Sequence, residues 1–274
     1  MEKVTIYITT HNRADKVKNA INSALSQTYS NIEVILSDDG SSDDTPRIAN
    51  QYKNKFDNFI YVRNEQPKGA NCARNNALRI ASGNFITGLD DDDIFLPERI
   101  ENFILSWKEN YSLLCDNFID DFKGQRKPHY SNGKAIVEID IEKLLVKNLC
   151  TNQIFTRTKF LRDIGGFDES LKRLQDWECW IRLVNKYGDA ARLNNCSYIM
   201  FHDQANRVSN AQRLLESYDI IVKKNINIFN NVLGSDYVRK FILREIKPQF
   251  KDYFKYYNRI PIKSEVKHFF GRKK

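Results

Sequence analysis

Four consecutive aspartates, Asp90, Asp91, Asp92 and Asp93, follow directly on an apolar run, Phe85-Ile86-Thr87-Gly88-Leu89, and precede Ile94-Phe95-Leu96-Pro97. A strand that delivers four carboxylates to one point builds an anionic knot. Like charges this close repel, and some stay protonated unless a cation neutralises them. Hard divalent ions such as Mg²⁺ and Mn²⁺ take oxygen ligands of this kind and often complete their shell with substrate phosphates. The competing reading is a solvated acidic loop, the usual meaning of a charge run. The choice depends on which elements position the aspartates.

Val4-Thr5-Ile6-Tyr7-Ile8-Thr9 reads as a first strand, and Val17, Ala20, Ile21, Ala24 and Leu25 recur at helical spacing after it. Ile32-Glu33-Val34-Ile35-Leu36 is a second strand ending in Ser37-Asp38-Asp39-Gly40-Ser41. Thr45-Pro46 starts a helix, with Thr45 as N-cap and Pro46 at the first helical position. Phe59-Ile60-Tyr61-Val62 is a third strand, residues 70–81 a third helix closed by Gly83, and residues 85–89 the fourth strand. Such alternation with short connections predicts an α/β fold with a mostly parallel, Rossmann-like sheet flanked by helices. Ligands bind outside the carboxyl ends of such strands. The polar clusters Thr10-His11-Asn12-Arg13, Ser37-Asp38-Asp39-Gly40-Ser41 and the four aspartates all fall at those ends, which favours a site over a solvated loop.

Beyond residue 110 the pattern is less regular. Residues 112–118 read as a strand, and residues 123–134, with Gly124, Pro128 and Gly133, as a mobile loop. Residues 176–187 read as a helix with Trp177, Trp180, Ile181 and Val184 on one face. Residues 197–201 read as a late strand ending at His202. From residue 211 the chain reads as a basic, aromatic-rich helical extension. The expected organisation is a catalytic domain over 1–210, with a nucleotide-binding half over about 1–110 and an acceptor half over 111–210, followed by the segment 211–274.

The net charge of +8 is unevenly placed. Residues 211–274 hold 15 of the 43 Lys/Arg and 6 of the 35 Asp/Glu, so the rest of the chain is close to neutral. The five cysteines, Cys72, Cys115, Cys150, Cys179 and Cys196, are scattered without a Cys-x-x-Cys pair, which argues against a zinc site or disulfide framework. No apolar run reaches the ~20 residues of a membrane span. No signal-peptide pattern precedes the first strand, so the expected location is cytoplasmic.

Taken together, the motifs resemble those of the family 2 glycosyltransferases, inverting enzymes of the GT-A fold. The matching segments are Ile8-Thr9-Thr10-His11-Asn12-Arg13, Ser26-Gln27-Thr28-Tyr29, Ser37-Asp38-Asp39-Gly40-Ser41, Gly69 with Arg74-Asn75, Leu89-Asp90-Asp91-Asp92-Asp93, Gly165-Gly166-Phe167-Asp168 and Asp176-Trp177. They occur in the family's order over residues 4–209. His11 stands where the family often has tyrosine, Gln175 where it often has glutamate, and the Gln-x-x-Arg-Trp motif of processive synthases is absent.

The resemblance implies a role for each residue. Asp39 would accept a hydrogen bond from a uracil imide, with Thr9 near the base; a turn-forming Asp is the alternative. Asp90 and Asp92 form the family's Asp-x-Asp pair. Asp92 is the first metal ligand, with Asp90 and His202 completing the set for Mn²⁺ or Mg²⁺, and Asp91 or Asp90 contacts the donor ribose. Arg74 faces the phosphates, and Asp93 caps the following helix. Asp176 is the general base that takes the acceptor's proton, held ionised by its helix dipole; a plain N-cap aspartate is the alternative. His202 also has a purely structural alternative.

The activity implied is non-processive transfer of a hexose or N-acetylhexosamine from a UDP-sugar to a polyprenyl-diphosphate-linked glycan, in O-antigen or capsule synthesis. Two rivals are a sugar nucleotidyltransferase, disfavoured because no glycine follows the first strand, and a nucleic-acid binder, for which no motif is present. Lys263, Lys267, Arg272, Lys273 and Lys274 flank Phe269-Phe270, a pairing suited to peripheral attachment at an anionic membrane surface.

Overall fold

Strand β1 (Val4–Thr10) and strand β2 (Ile32–Asp38) are almost wholly buried, as their near-continuous β-branched and leucine content requires of strands covered on both faces. The computed structural model describes residues 1–131, 136–202, 217 and 220–235. Helix α1 (Val17–Leu25) links these two strands, helix α2 (Thr45–Lys53) leads to β3 (Phe59–Arg63), and helix α3 (Ala70–Ile80) leads to β4 (Phe85–Asp90). These strands pair in parallel in the order β3-β2-β1-β4. The chain steps outward from β1 to β3 and then returns to the other side of β1. That reversal opens a crevice at the carboxyl ends of β1 and β4, where Thr9 and Asp90 lie in register.

After β5 (Ile94–Phe95) and α4 (Arg99–Ser106) come β6 (Leu113–Phe122), β7 (Gln125–Pro128), β8 (Val137–Ile139), α5 (Ile141–Val146), β9 (Phe155–Arg157) and α6 (Thr158–Asp163). Helix α7 (Gln175–Tyr187) and β10 (Ala190–Phe201) complete the ten-stranded sheet. Strand β9 runs antiparallel to both β4 and β6 and joins the two halves, and its Phe155 stacks on Phe85 and Phe103. The expected parallel character holds for β1 to β4, while the sheet as a whole is mixed. In the second half β10 lies parallel to β6 and is reached through a long connection that carries α5, α6 and α7, whereas β5, β7, β8 and β9 pair antiparallel with their neighbours.

Three local expectations are corrected. Residues 125–128 are not loop: they form a hairpin with β6, turned by Lys123 and Gly124, both at positive φ. Two positive-φ turn residues match the twist of the flanking strands. Helix α2 has Asp44, not Thr45, at its N-cap position, with no capping bond from the Asp44 side chain; the Asp43 carboxylate accepts the Thr45 N–H, and Thr45 lies in the first turn. The late strand is longer than expected. It begins at Ala190 and pairs with β6, and register shifts between Arg192 and Cys196 and between Cys196 and Ile199 break the alternation a strand normally displays.

The chain divides into two compact units, Met1–Ser217 and Tyr218–Lys274. In the second, helix α8 (Ile226–Leu233) is described; residues 236–274, including the basic tail, lie outside the described residues. Among the described residues no helix is long and apolar enough to cross a membrane. All five cysteines are free thiols.

Candidate active site

The carboxyl end of β2 carries two aspartates with different tasks. Asp38 Oδ1 accepts from the Ser41 backbone and hydroxyl at 2.8 and 2.6 Å, and Oδ2 accepts from Tyr61 at 2.7 Å. Asp38 therefore builds the turn, leaving Asp39 for another role. The Asp39 carboxylate accepts from Asn64 Nδ2 (2.8 Å), Lys68 N–H (2.8 Å) and Gly69 N–H (2.7 Å). Burial alone would push its pKa up, but these donors outweigh it and hold the group below its ordinary range. His11 packs alongside, with Nδ1 2.8 Å from the Asp39 carbonyl.

At the end of β4 the balance is reversed. Asp90 Oδ2 accepts from Asn152 Nδ2 at 2.7 Å and Oδ1 from Gln153 Nε2 at 2.9 Å, with Arg74 NH2 3.7 Å from Oδ1. Burial nevertheless raises the Asp90 pKa: Arg74 and the two amides pull it down and Asp92 adds repulsion, but burial outweighs them. Burial, with Asp92 and Asp90 adding to it, also pushes Asp91 up to about 6. Asp92 lies 3.4 Å from Arg13. Asp93 does not cap the next helix: it turns inward, accepting from the Tyr198 hydroxyl at 2.5 Å and Phe201 N–H at 2.9 Å. Burial and Asp90 push it up to about 8. The next helix, α4, has Glu98 at its N-cap position, beyond the short strand β5, so Asp93 is free to meet the two donors that β10 offers. Beneath this cluster Arg99 is buried between the rings of Phe95, Phe103 and Tyr198 and donates to Ser197.

Asp176 lies in the first turn of α7, entered through Leu174 at φ 56°. Asn71 and Asn75 on α3 bond to the backbone around Gly166, Phe167 and Asp168, and a Cβ at Gly166 would lie 2.5 Å from Asn75 Oδ1. The Gly-Gly-Phe-Asp and Arg-Asn motifs thus fasten the connection between α6 and α7 to α3. Asp176 Oδ2 accepts from Asn148 Nδ2 at 2.9 Å. Its pKa is raised: burial dominates over the N–H groups of the helix start and Arg74, and Asp90 adds repulsion. The dipole was expected to hold it down; burial wins, and the carboxylate is the stronger base for it.

The structure therefore brings Arg74, Asp90 and Asp176 into mutual electrostatic contact, with Asp91 and Asp92 on the same rim. His202 sits elsewhere on the rim's edge. Its Nε2 is 2.7 Å from Asp120 Oδ1, its ring stacks on Phe122, and Asp120 Oδ2 is 2.9 Å from His129 Nδ1. No group of three His, Cys, Asp or Glu is arranged to hold a metal among the described residues. The donor set at Asp90 to Asp92 is oxygen only and under-compensated in charge, which suits Mg²⁺ or Mn²⁺ with a shell completed by substrate oxygens. Asn148, Asn152 and Gln153 escape sequence reasoning altogether: they stand in an irregular segment, and no spacing links them to their carboxylate partners.

This crevice belongs to a sugar-transfer fold: residues 5–165 match the Glycosyl transferase family 2 model, and the chain belongs to that family. The putative colanic acid biosynthesis glycosyl transferase WcaA of Escherichia coli is 28% identical over 252 residues, 89% of this chain and 88% of that protein. Escherichia coli WfaP, a UDP-Glc:alpha-D-GlcNAc-diphosphoundecaprenol beta-1,3-glucosyltransferase, is 46% identical over 104 residues, 38% of this chain and 41% of that one. For several curated relatives the matched region is less than two thirds of their own length. The fold, GT-A, is shared with S. aureus TarS 1-349 in complex with UDP-GlcNAc, at TM-score 0.71 and 21% identity over 97% of this chain and 77% of that one.

Proposed function

We propose that the protein is a non-processive, inverting glycosyltransferase that moves a hexose or N-acetylhexosamine from a UDP-sugar to a hydroxyl of a polyprenyl-diphosphate-linked glycan, during O-antigen or capsule synthesis. The observation that carries this reading is the convergence of Asp90, Arg74 and Asp176, from β4, α3 and α7, at the sheet's switch point. The relatives' names support the donor and acceptor classes.

Asp39 keeps acceptor capacity beyond its three donors and takes the uracil imide N–H, with Thr9 beside the base. Asp91 and Asp90 contact the ribose, and Arg74 offsets diphosphate charge. Asp92 and Asp90 are the residues that would hold Mn²⁺ or Mg²⁺, and the bound ion would neutralise charge on the departing UDP; His202, engaged by Asp120 and Phe122, is not counted among them. Asp176 accepts the proton from the acceptor hydroxyl as its oxygen attacks the anomeric carbon from the face opposite UDP. The basic tail holds the enzyme at the cytoplasmic face of the membrane, where such acceptors reside. Deleting residues 263–274 is expected to abolish low-salt sedimentation with anionic vesicles; unchanged sedimentation would remove the membrane attachment.

The deciding experiment is a screen of UDP-glucose, UDP-galactose and their N-acetylhexosamine counterparts for metal-dependent UDP release. Release from one donor, lost in chelator, is expected. Release of pyrophosphate from UTP in the presence of a sugar 1-phosphate, with no UDP released from any donor, would establish nucleotidyl transfer instead, and no turnover of any donor would end the proposal.

A further inference from the structure

Residues 148–153 place three side-chain amides on two carboxylates that arrive from separate elements. Asn148 Nδ2 donates to Asp176 Oδ2 at 2.9 Å. Four residues on, Asn152 Nδ2 donates to Asp90 Oδ2 at 2.7 Å, and Gln153 Nε2 donates to Asp90 Oδ1 at 2.9 Å. We propose that this segment is a positioning strap for the transfer reaction, with Asn152 and Gln153 orienting the donor-side carboxylate and Asn148 the acceptor-side one. The proposal rests on the glycosyltransferase reading above and extends it to residues that carry none of the family's motifs.

The strap is itself fixed from several sides. Trp180 Nε1, on α7, donates to the Thr151 carbonyl at 2.8 Å, and Arg192 NH1, on β10, donates to the Leu149 carbonyl at 3.2 Å. Asn148 spans the segment internally, donating to the Thr151 carbonyl at 3.3 Å and accepting from Cys150 N–H at 3.2 Å. Thr151 is held at φ 65°. For a β-branched residue that conformation is costly and persists only where the surroundings over-determine it. The strap then enters β9, whose Phe155 pairs with both β4 and β6, so the two carboxylates are referenced to the central sheet.

Gly88 makes room for the Asp90 clamp. A Cβ there would lie 2.0 Å from Gln153 Oε1 and 2.5 Å from the Tyr7 hydroxyl. The orientation of the Gln153 amide follows from charge: a flipped amide would set Oε1 against the Asp90 carboxylate. Amides also suit the task better than cations. Lysine or arginine at these positions would orient the carboxylates and neutralise them, whereas a neutral donor restrains direction and leaves the negative charge for chemistry. With a donor on each oxygen, Asp90 cannot rotate freely, and Asp176 is fixed through one.

The test uses the full chain with Asn148→Ala, Asn152→Ala and Gln153→Ala, reading UDP affinity with Mn²⁺ by calorimetry and sugar transfer by kcat. Asn148→Ala is expected to lower kcat about 10- to 100-fold, the scale of a small misplacement of a reacting group, with UDP affinity within twofold of wild type. Asn152→Ala and Gln153→Ala are expected to weaken UDP about tenfold and lower transfer with it. The isosteric Asn148→Asp and Asn152→Asp keep the strap's shape, replace a donor by an acceptor, and are expected to show the same split. A purely structural strap would lower affinity, kcat and Tm together in all variants, and that result overturns the proposal, as does wild-type behaviour throughout. A wild-type chain that neither binds UDP nor turns over any UDP-sugar would instead sink the glycosyltransferase reading, and the strap with it.

Discussion

The amino end of the parallel sheet and the carboxyl end of β4 treat carboxylates in opposite ways. At the amino end Glu33, beside Thr5 in register, accepts from Thr5 Oγ1, Ser82 N–H, Ser82 Oγ and Gly83 N–H, and pairs with Lys3 at 2.7 Å. Burial opposes its ionisation, but these partners outweigh it and hold Glu33 at about 2. At the carboxyl end of β4, Asp91 stands at about 6 and Asp93 at about 8: burial, with repulsion from neighbouring aspartates, outweighs the Thr10 hydroxyl on Asp91 and the Tyr198 and Phe201 donors on Asp93. The residues are chemically equivalent, and the count of donors separates them. One end is saturated and holds the fold together; the other is left short of positive charge, the condition under which a cation and a diphosphate can bind with profit.

The comparison can be broken at either end. The largest effect is expected from Asp176→Asn, a loss of about 10²- to 10⁴-fold in transfer. UDP affinity, measured by calorimetry, should stay close to wild type, because this carboxylate addresses the acceptor. Retained turnover with lost UDP binding would reverse the assignment. Next comes Asp92→Asn, expected to cost roughly 10²-fold in kcat. Its Tm should hold or rise, since one of the crowded charges is gone; a fall in Tm would mean the carboxyl end is not under-compensated.

The smallest effect sharpens the contrast from the other side. Glu33→Gln should leave kcat unchanged and lower stability by about 1–2 kcal/mol, read by denaturant unfolding. The sign with pH is fixed by the depressed folded-state pKa. The stabilisation from Glu33 is present above its ordinary value of 4.5 and fades as the pH falls toward 2, so wild type and variant should converge in acid. A constant difference across that range would assign Glu33's contribution to packing.

The sheet's first half was legible in the sequence because each strand there is bounded by a helix with its own periodicity, and the clusters at the strand ends mark the crevice. The second half hid itself for physical reasons. Strand β7 is built from exposed residues, Gln125, Arg126, Lys127 and Pro128, which carry no apolar alternation. The first half of β10 is interrupted by Asn194 and Asn195 between register shifts. Asp93 looked like a cap because its true partners, Tyr198 and Phe201, lie far along the chain. His202 ends the strand where expected, yet its partner Asp120 was one unremarkable aspartate among several in residues 116–121.

The missing side chain at Gly88 has a further consequence for how this lineage can vary. Tyr7, Gly88 and Gln153 compete for one small volume, so a methyl gained at 88 must be matched by bulk lost at 7 or 153. Any change at 153 also alters what faces Asp90. The three positions therefore form a single unit of inheritance: sequences that place alanine or serine at 88 should carry shorter residues at one of the other two, and should have found a different way to steady the first aspartate of the cluster.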